Sequence, residues 1–436
     1  MARARIHKRT ISDQQRRRDL ALERQKECRR DLQQHARQLA SSIADHHHPH
    51  YNLSNPDFQG LTDGSNEELS YGDEEESSSS SGHSEGVLGL LEGTRLRGSE
   101  AKAWYAQQFM LPEWMIDIPS HLKRDWYVMA RPAGKRCLVI SSSGTTFSRT
   151  RNGKLLHCFP SALPNGAKIR DVAAPSHVFC ILDCIFHEPD STYYILDVMC
   201  WRGYSLYDCS TEFRFFWRDS KLSEEKVFVP PSTYHRYRFC LVSVNECNEA
   251  GLQAAYCGPT SFQRDGVLLY NRHAHYVLGI TPLALLWKDA DCSQFPLDTD
   301  SKGHVPAHQQ VVLRLQSDGT VVTGDDRPVV LGIMPEQFLS QSARYLKPGS
   351  LLRFDIGDQG LCIVDGKPVT ADIHYQGPAN RSRASADSCT KILFQYASRH
   401  SPLTIMDLLA AIETLDDDSD SLMIDTDDGS LEQRSS

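Results

Sequence analysis

The sequence predicts an α+β protein with largely antiparallel sheets, and three observations carry that reading. From about Trp104 to Ala411, short β-branched or aromatic runs recur, bounded by Gly, Pro, Asn or Asp. Two boundaries, SDGT (Ser317–Thr320) and VDGKPV (Val364–Val369), carry the Asp-Gly chemistry of tight hairpins. Within the same span only PLTIMDLLAAIETL, near the end, reads as a short helix. Runs of strands without a helix between each pair argue against a parallel, alternating βαβ sheet.

In chain order the candidate strands are DWYVMARP, KRCLVISS, HVFCILDCIFH, TYYILDVMCWR, FRFFWR, RYRFCLVSV, DGVLLYN and HYVLGITPLALLW. QVVLRLQSDGTVV, RPVVLGIM, SLLRFDI, GLCIVDGKPV and KILFQYAS follow. Cys180 and Cys184 share parity with Leu182 on one of these strands and should point to one buried face.

Composition narrows the class. The chain has 436 residues, 40% of them hydrophobic and 24% charged, which suits a soluble protein of two or three domains. The longest near-continuous apolar run, His177–Phe186, is too short to span a bilayer and contains an aspartate. No apolar segment follows the basic start MARARIHKRT, so neither a signal peptide nor a membrane partner is expected. Thirteen cysteines without a CxxC pair give no zinc framework and no disulfide ladder. No cofactor and no bound metal are expected, and His46, His47, His48 and His50 read as a linker tract.

The net charge of −9 hides segregation along the chain. Residues 1–40 hold twelve Lys/Arg against five Asp/Glu. A long helix is predicted here, capped at Ser12 or Asp13 and free of Pro and Gly afterwards. Its apolar stripe is thin, so it is marginal alone and gains from a partner. Residues 43–100, with the acidic, serine-rich DEEESSSSSG, predict a disordered linker. The expected organisation is therefore a basic helix over 1–42, the linker, a folded domain over 101–290 and a β-rich extension over 291–415 with a terminal helix. A disordered acidic tail over 416–436 completes it.

One stretch carries chemistry. In RPAGKRCLVISSSG, Gly134 and Arg136 keep the spacing of a Lys-x-Asp-Gly-x-Arg motif, but Arg131 stands at the lysine position and Ala133 at the aspartate position. The motif resembles that of nucleotidyltransferases such as mRNA capping enzymes and ligases. These need the lysine to form a covalent nucleotide intermediate. An arginine holds its proton and cannot take that role. Further motifs are similar but altered: Asp197 is present in ILDVM, Met199 replaces a glutamate, Asp265-Gly266 matches, and LLWK has Leu286 where a lysine precedes the tryptophan.

Four longer stretches resemble the snurportins: Thr192–Trp217, Phe109–Ile140, Asp265–Tyr276 with the following TPLALLW, and the arginine-rich run around RRRDLALERQKECRR. The resemblance implies a cap-binding domain of nucleotidyltransferase-like fold. It implies binding of the 2,2,7-trimethylguanosine cap of small nuclear RNA and its ribonucleoprotein particles (snRNPs), and recruitment of importin-β by the basic helix. The cap-binding residues it implies are Leu111, Pro112, Gly134, Lys135, Arg136, Arg151 and, as the stacking aromatic, Trp287. Trp287 sits one residue later after TPL than in the snurportin pattern, and a one-residue shift in a strand turns a side chain to the other face. Trp114 lies nearby and reads as core. The importin-contacting residues implied are Arg16, Arg17, Arg18, Arg24, Lys26, Arg29, Arg30 and Arg37.

The expectation is a non-enzymatic import adaptor shuttling between cytoplasm and nucleus. An exportin is a further expected partner, although the apolar N-terminal element that serves it in animal snurportins is missing and LTIMDLLAAIETL reads better as a packed helix. Two alternatives stay open: a divergent guanylyltransferase or RNA ligase, and an importin-β adaptor for another cargo.

Overall fold

Three sheets organise the chain, and each is built from the β-branched and aromatic runs of the sequence. The computed structural model describes residues 13–27, 36–37, 39, 100, 104–167, 178–300, 302–342, 346–364, 366–380, 383 and 385–413. Residues 43–99 of the expected 43–100 linker, with its histidine tract, and the acidic tail lie outside them.

The first sheet has the order β1 (Met110–Trp114), β12 (Gly279–Trp287), β11 (Arg264–Asn271), β2 (Trp126–Pro132) and β10 (Asn245–Glu246). Strand β1 runs parallel to β12, and the remaining pairs are antiparallel. The second orders β5 (Leu155–Phe159), β4 (Thr145–Thr150), β3 (Lys135–Ser142), β6 (Cys180–His187), β7 (Thr192–Trp201) and β8 (Tyr204–Ser205), with β9 (Arg238–Leu241) parallel to β7. The third orders β15 (Val330–Ile333), β14 (Thr320–Val322), β13 (Gln310–Leu315), β16 (Leu351–Val364) and β17 (Lys367–Pro378). The fold is α+β with mostly antiparallel sheets. Both Asp-Gly turns join neighbouring strands, β13 to β14 and β16 to β17.

The first two sheets face each other. Met129, Leu268 and Leu286 of one meet Leu138, Ile140, Ile181 and Leu196 of the other in a shared core. Strand β6 is buried along its whole length. Cys180, Leu182 and Cys184 enter a second core on its outer face, as their parity predicts. No helix among the described residues is long and apolar enough to cross a membrane.

Two expected strands are helices. FRFFWR lies in α3 (Thr211–Glu224) and KILFQYAS in α6 (Cys389–His400). Ser210 caps the first by accepting the Phe213 N–H at 3.3 Å, and Ser388 caps the second through the Lys391 N–H at 3.3 Å. The buried side chains of α3, Arg214, Phe215, Arg218 and Leu222, fall on one helical face. Aromatic-rich composition imitated a strand where capping and the 3.6-residue period govern. Three shorter helices, α2 (Leu122–Asp125), α4 (Glu249–Tyr256) and α5 (Glu336–Ser342), have no counterpart in the sequence reading.

Helix α6 ties the third sheet to the rest: Ile392 and Leu393 join the third sheet's core, while Phe394 joins the core behind the first sheet. The terminal helix α7 (Ile405–Glu413) buries Leu408 and Ile412 in that same core.

The basic helix α1 spans Asp13–Glu27 and is docked on the folded domain. The Gln14 amide donates to Glu113 at 3.0 Å and to the Trp114 carbonyl at 3.1 Å, and its oxygen accepts the Ile116 N–H at 3.3 Å. Arg18 is 2% exposed and pairs with Asp117 at 2.6 Å, while Arg17 pairs with Glu113. At the far end Gln25 donates to the His273 carbonyl at 2.6 Å and accepts the His275 N–H at 3.0 Å. These contacts supply the partner that the thin apolar stripe lacks.

Candidate functional site

A cleft of about 720 Å³ opens where β1, β2, β3, the β4–β5 hairpin, β12 and the start of α6 converge. Its apolar walls include Leu111, Pro112, Ile280 and Leu286, and among the described residues Trp114 is its single aromatic. Among the described residues, eight Lys/Arg side chains line it against one carboxylate, Asp387.

The cations differ in how they are held. Arg136 grips Asp183 with two hydrogen bonds, at 3.0 and 2.6 Å, and donates to the Met110 carbonyl at 2.7 Å. The Tyr276 hydroxyl donates to the same Asp183 at 2.7 Å. Burial opposes the Arg136 charge, but Asp183 outweighs it and the pKa is raised. Arg136 therefore braces the cleft floor. Arg131 and Lys288 share Asp265, which also accepts the Ser293 hydroxyl at 2.7 Å. Burial lowers the pKa of both cations despite Asp265. Lys135 pairs with Glu188 at the exposed rim.

Arg151 is different. It stands at the turn of the β4–β5 hairpin with no ion pair among the described residues, and Lys154 follows it on the same rim. Desolvation in the cleft, then Arg136 and Arg131, push the Arg151 pKa down to about 10. An unpaired cation facing other cations is a place for an anion.

The strand bearing Lys135 and Arg136 begins at Gly134, which takes φ +141°. A Cβ there would lie 2.3 Å from the Phe186 carbonyl oxygen, so glycine lets β3 lie against the end of β6.

Leu111, Pro112, Lys135, Arg136 and Arg151, expected from the resemblance, all line this one cleft. Trp287 does not. It is 0% exposed, stacks on Tyr256 at 5.7 Å and donates its Nε1–H to the Leu403 carbonyl at 3.2 Å. The reason is strand parity. On the paired strands Leu286 opposes Leu268 and both line the cleft, whereas Trp287 opposes Val267 on the other face. The register of β12 against β1 does shift, but between Thr281 and Leu285, before either residue. Trp114 supplies the cleft's aromatic face instead, with the Lys288 ammonium 5.9 Å from its ring.

Asp197 also lies outside the cleft. It is 1% exposed and Arg214 holds it with bonds of 3.0 and 2.9 Å. Sequence reasoning missed Lys154, Arg383 and Lys391, which border the cleft from segments no motif covers. Of the helix residues, Arg16, Arg24, Lys26 and Arg37 are exposed, Arg17 and Arg18 are engaged, and Arg29 and Arg30 lie outside the described residues. Among the described residues no group of three His, Cys, Asp or Glu side chains is arranged to hold a metal.

Residues 108–288 match the family model for the Snurportin1 m3G cap-binding domain. The span contains β1 to β12, and over it the chain is snurportin-like. At family level the match supports binding of m3G caps. Among solved structures the chain is similar to a mycobacterial DNA ligase D complexed with ATP and MES, at 11% identity over 64% of this chain and 98% of that one, with a TM-score of 0.30. It is likewise similar to the ligase domain of M. tuberculosis LigD, at 12% identity over 63% and 96%, again with a TM-score of 0.30. At these scores the likeness carries no argument.

Proposed function

We propose that the chain is a nuclear import adaptor whose cleft binds the 2,2,7-trimethylguanosine cap of small nuclear RNA in snRNPs. The observation that carries this reading is the pairing of one cleft tryptophan, Trp114, with a basic rim at Arg151 and Lys154 that has no ion pair among the described residues.

The chemistry of the cap fits each part. Methylation at N7 makes the guanine a flat cation, which an indole face attracts by about 0.5–2 kcal/mol. The N2 methyl groups remove donors and rest against the apolar side chains of Leu111, Ile280 and Leu286. Pro112 has no N–H to demand an acceptor. The triphosphate bridge falls to Lys135, Arg151 and Lys154 as charge-assisted contacts. Arg131, at the lysine position of the motif that resembles the nucleotidyltransferases, is clamped on Asp265. The reading needs no chemical step.

Helix α1 would recruit importin-β, with Arg16, Arg24 and Lys26 already exposed. Arg17 and Arg18 must first leave Glu113 and Asp117, so recruitment exchanges intramolecular ion pairs for intermolecular ones. The protein would then move between cytoplasm and nucleus. An exportin gains no support from α7, whose Leu408 and Ile412 are buried.

One observation favours a second reading. Lys288 lies in the cleft with its pKa lowered by burial and Arg131, as a nucleophilic lysine requires. In a transferase its Nζ would attack the α-phosphate of a nucleoside triphosphate and expel pyrophosphate. Incubation with labelled GTP or ATP, followed by denaturing gel electrophoresis, separates the readings. The adaptor reading predicts no adduct, and an adduct lost in Lys288→Gln would replace it with the transferase.

A further inference from the structure

Arg383 and residues 385–391, between the third sheet and the start of α6, lie beyond the matched domain yet complete the cleft. Arg383, Ser388 and Lys391 line it together with Arg151 and Lys154 of the β4–β5 hairpin. Two contacts fix this segment against the cap wall: the Trp114 N–H donates to the Thr390 hydroxyl at 3.3 Å, and the Trp114 ring packs on Phe394 at 4.9 Å. Arg383 leans on Asp387 and donates to the Ser385 carbonyl at 3.2 Å. Lys391 is held by Asp298 at 2.6 Å and Asp387 at 3.0 Å. Ser388 caps α6, so the positive end of that helix faces the same space.

We propose that Arg383 and residues 385–391 form the second jaw of a phosphate clamp, with Arg383 and Lys391 on one side and Arg151 and Lys154 on the other gripping the phosphate chain of a 5′-capped RNA between them. The inference rests on the cap-binding reading and gives the segment beyond the matched domain a role in it. Arg383 is close enough to Arg151 to contribute to lowering its pKa. Like charges line one cleft, and a phosphate chain between them relieves that repulsion. A guanine stacked on Trp114 would send its phosphates toward these cations, because the ring packs on Phe394 of α6 and lies 5.9 Å from the Lys288 ammonium. The ligand chemistry is a run of phosphate oxygens, from the triphosphate bridge or from the first phosphodiesters.

The test titrates the full chain with four probes: trimethylguanosine monophosphate, the trimethylated cap dinucleotide, the same cap on a ten-nucleotide RNA, and an uncapped 5′-triphosphorylated ten-nucleotide RNA. Wild type is compared with Arg383→Gln/Lys391→Gln. The clamp predicts a loss that grows with the number of phosphates, about tenfold or more for the probe that reaches both jaws. It also predicts a log–log salt slope shallower by about 0.7 per lost contact. A loss already full with the dinucleotide assigns the bridge, and one that appears only with capped RNA assigns the phosphodiesters. Arg383→Lys keeps the charge and should retain most of the affinity, which separates a lost contact from a misfolded jaw. Equal loss for every probe, no loss, or an unchanged salt slope overturns the clamp. If wild type ignores the cap but binds triphosphorylated RNA through Arg383 and Lys391, the cap reading fails and the clamp stands. If wild type binds none of the four, both fall.

Discussion

Trp114 lines the cleft, and Trp287 is buried in the core. Replacing Trp114 with Ala removes the cleft's single aromatic face and should weaken cap binding by about 2 kcal/mol, roughly thirtyfold in Kd. Trp287→Phe should leave cap affinity near wild type and lower stability by about 1–2 kcal/mol, since it loses the bond to Leu403 and leaves a void. Equilibrium titration and denaturant unfolding of both variants check the pair. Arg151 makes a prediction in pH. Its pKa is depressed to about 10 in the folded state, so the unfolded chain holds that proton more tightly. The charged residue therefore destabilises the fold below about pH 10, and the cost fades as pH rises toward the ordinary arginine value. Solvent at the exposed rim screens part of this. Arg151→Gln should accordingly weaken cap binding severalfold without lowering the melting temperature at neutral pH, and scanning calorimetry beside titration reads both.

At the scale of elements, the docked helix α1 links the two ends of the proposed function. Glu113, between the cleft residues Pro112 and Trp114, holds Gln14 and Arg17 of α1. A helix docked this way is available to importin-β only in proportion to its undocked population. Glu113→Gln with Asp117→Asn should free it, raising importin-β affinity about three- to tenfold and speeding amide exchange in residues 13–27. Unchanged affinity and exchange would mean that the docking holds nothing back. Elements are also where the sequence was most and least readable. Hairpins at Asp-Gly turns and the two-sided burial of β6 follow from turn chemistry and apolar runs. The helices at FRFFWR and KILFQYAS do not, because aromatic composition favours strands locally while the caps at Ser210 and Ser388 and tertiary burial decide otherwise. Five cleft residues could be named from the snurportin resemblance, which carries over residue by residue on β1, on β3 and at the β4–β5 turn. The face of Trp287 was hidden, because register depends on pairing with β11 rather than on distance from TPL. Arg383 and Lys391 were out of reach, because only the third dimension brings that segment to Arg151.

For the whole molecule, the extension beyond the cap-binding match is expected to unfold with it. Phe394, Leu408 and Ile412 sit in the same core as Trp126, Leu269 and Trp287, and losing each such side chain costs about 2–5 kcal/mol. Calorimetry of residues 100–413 should show one cooperative transition, and a chain ending at residue 290 should fail to fold or melt far lower. Two separate transitions would indicate independent units. The central claim is that this molecule selects a trimethylated cap on Trp114. The measurement that tests it most directly is a tryptophan-quenching titration of the full chain and of its Trp114→Ala variant, at one stated salt concentration, with trimethylated and monomethylated cap dinucleotides. The account predicts saturable quenching, clear preference for the trimethylated cap and loss of both in the variant. Equal binding of the two caps, no binding, or an unaffected variant would contradict it.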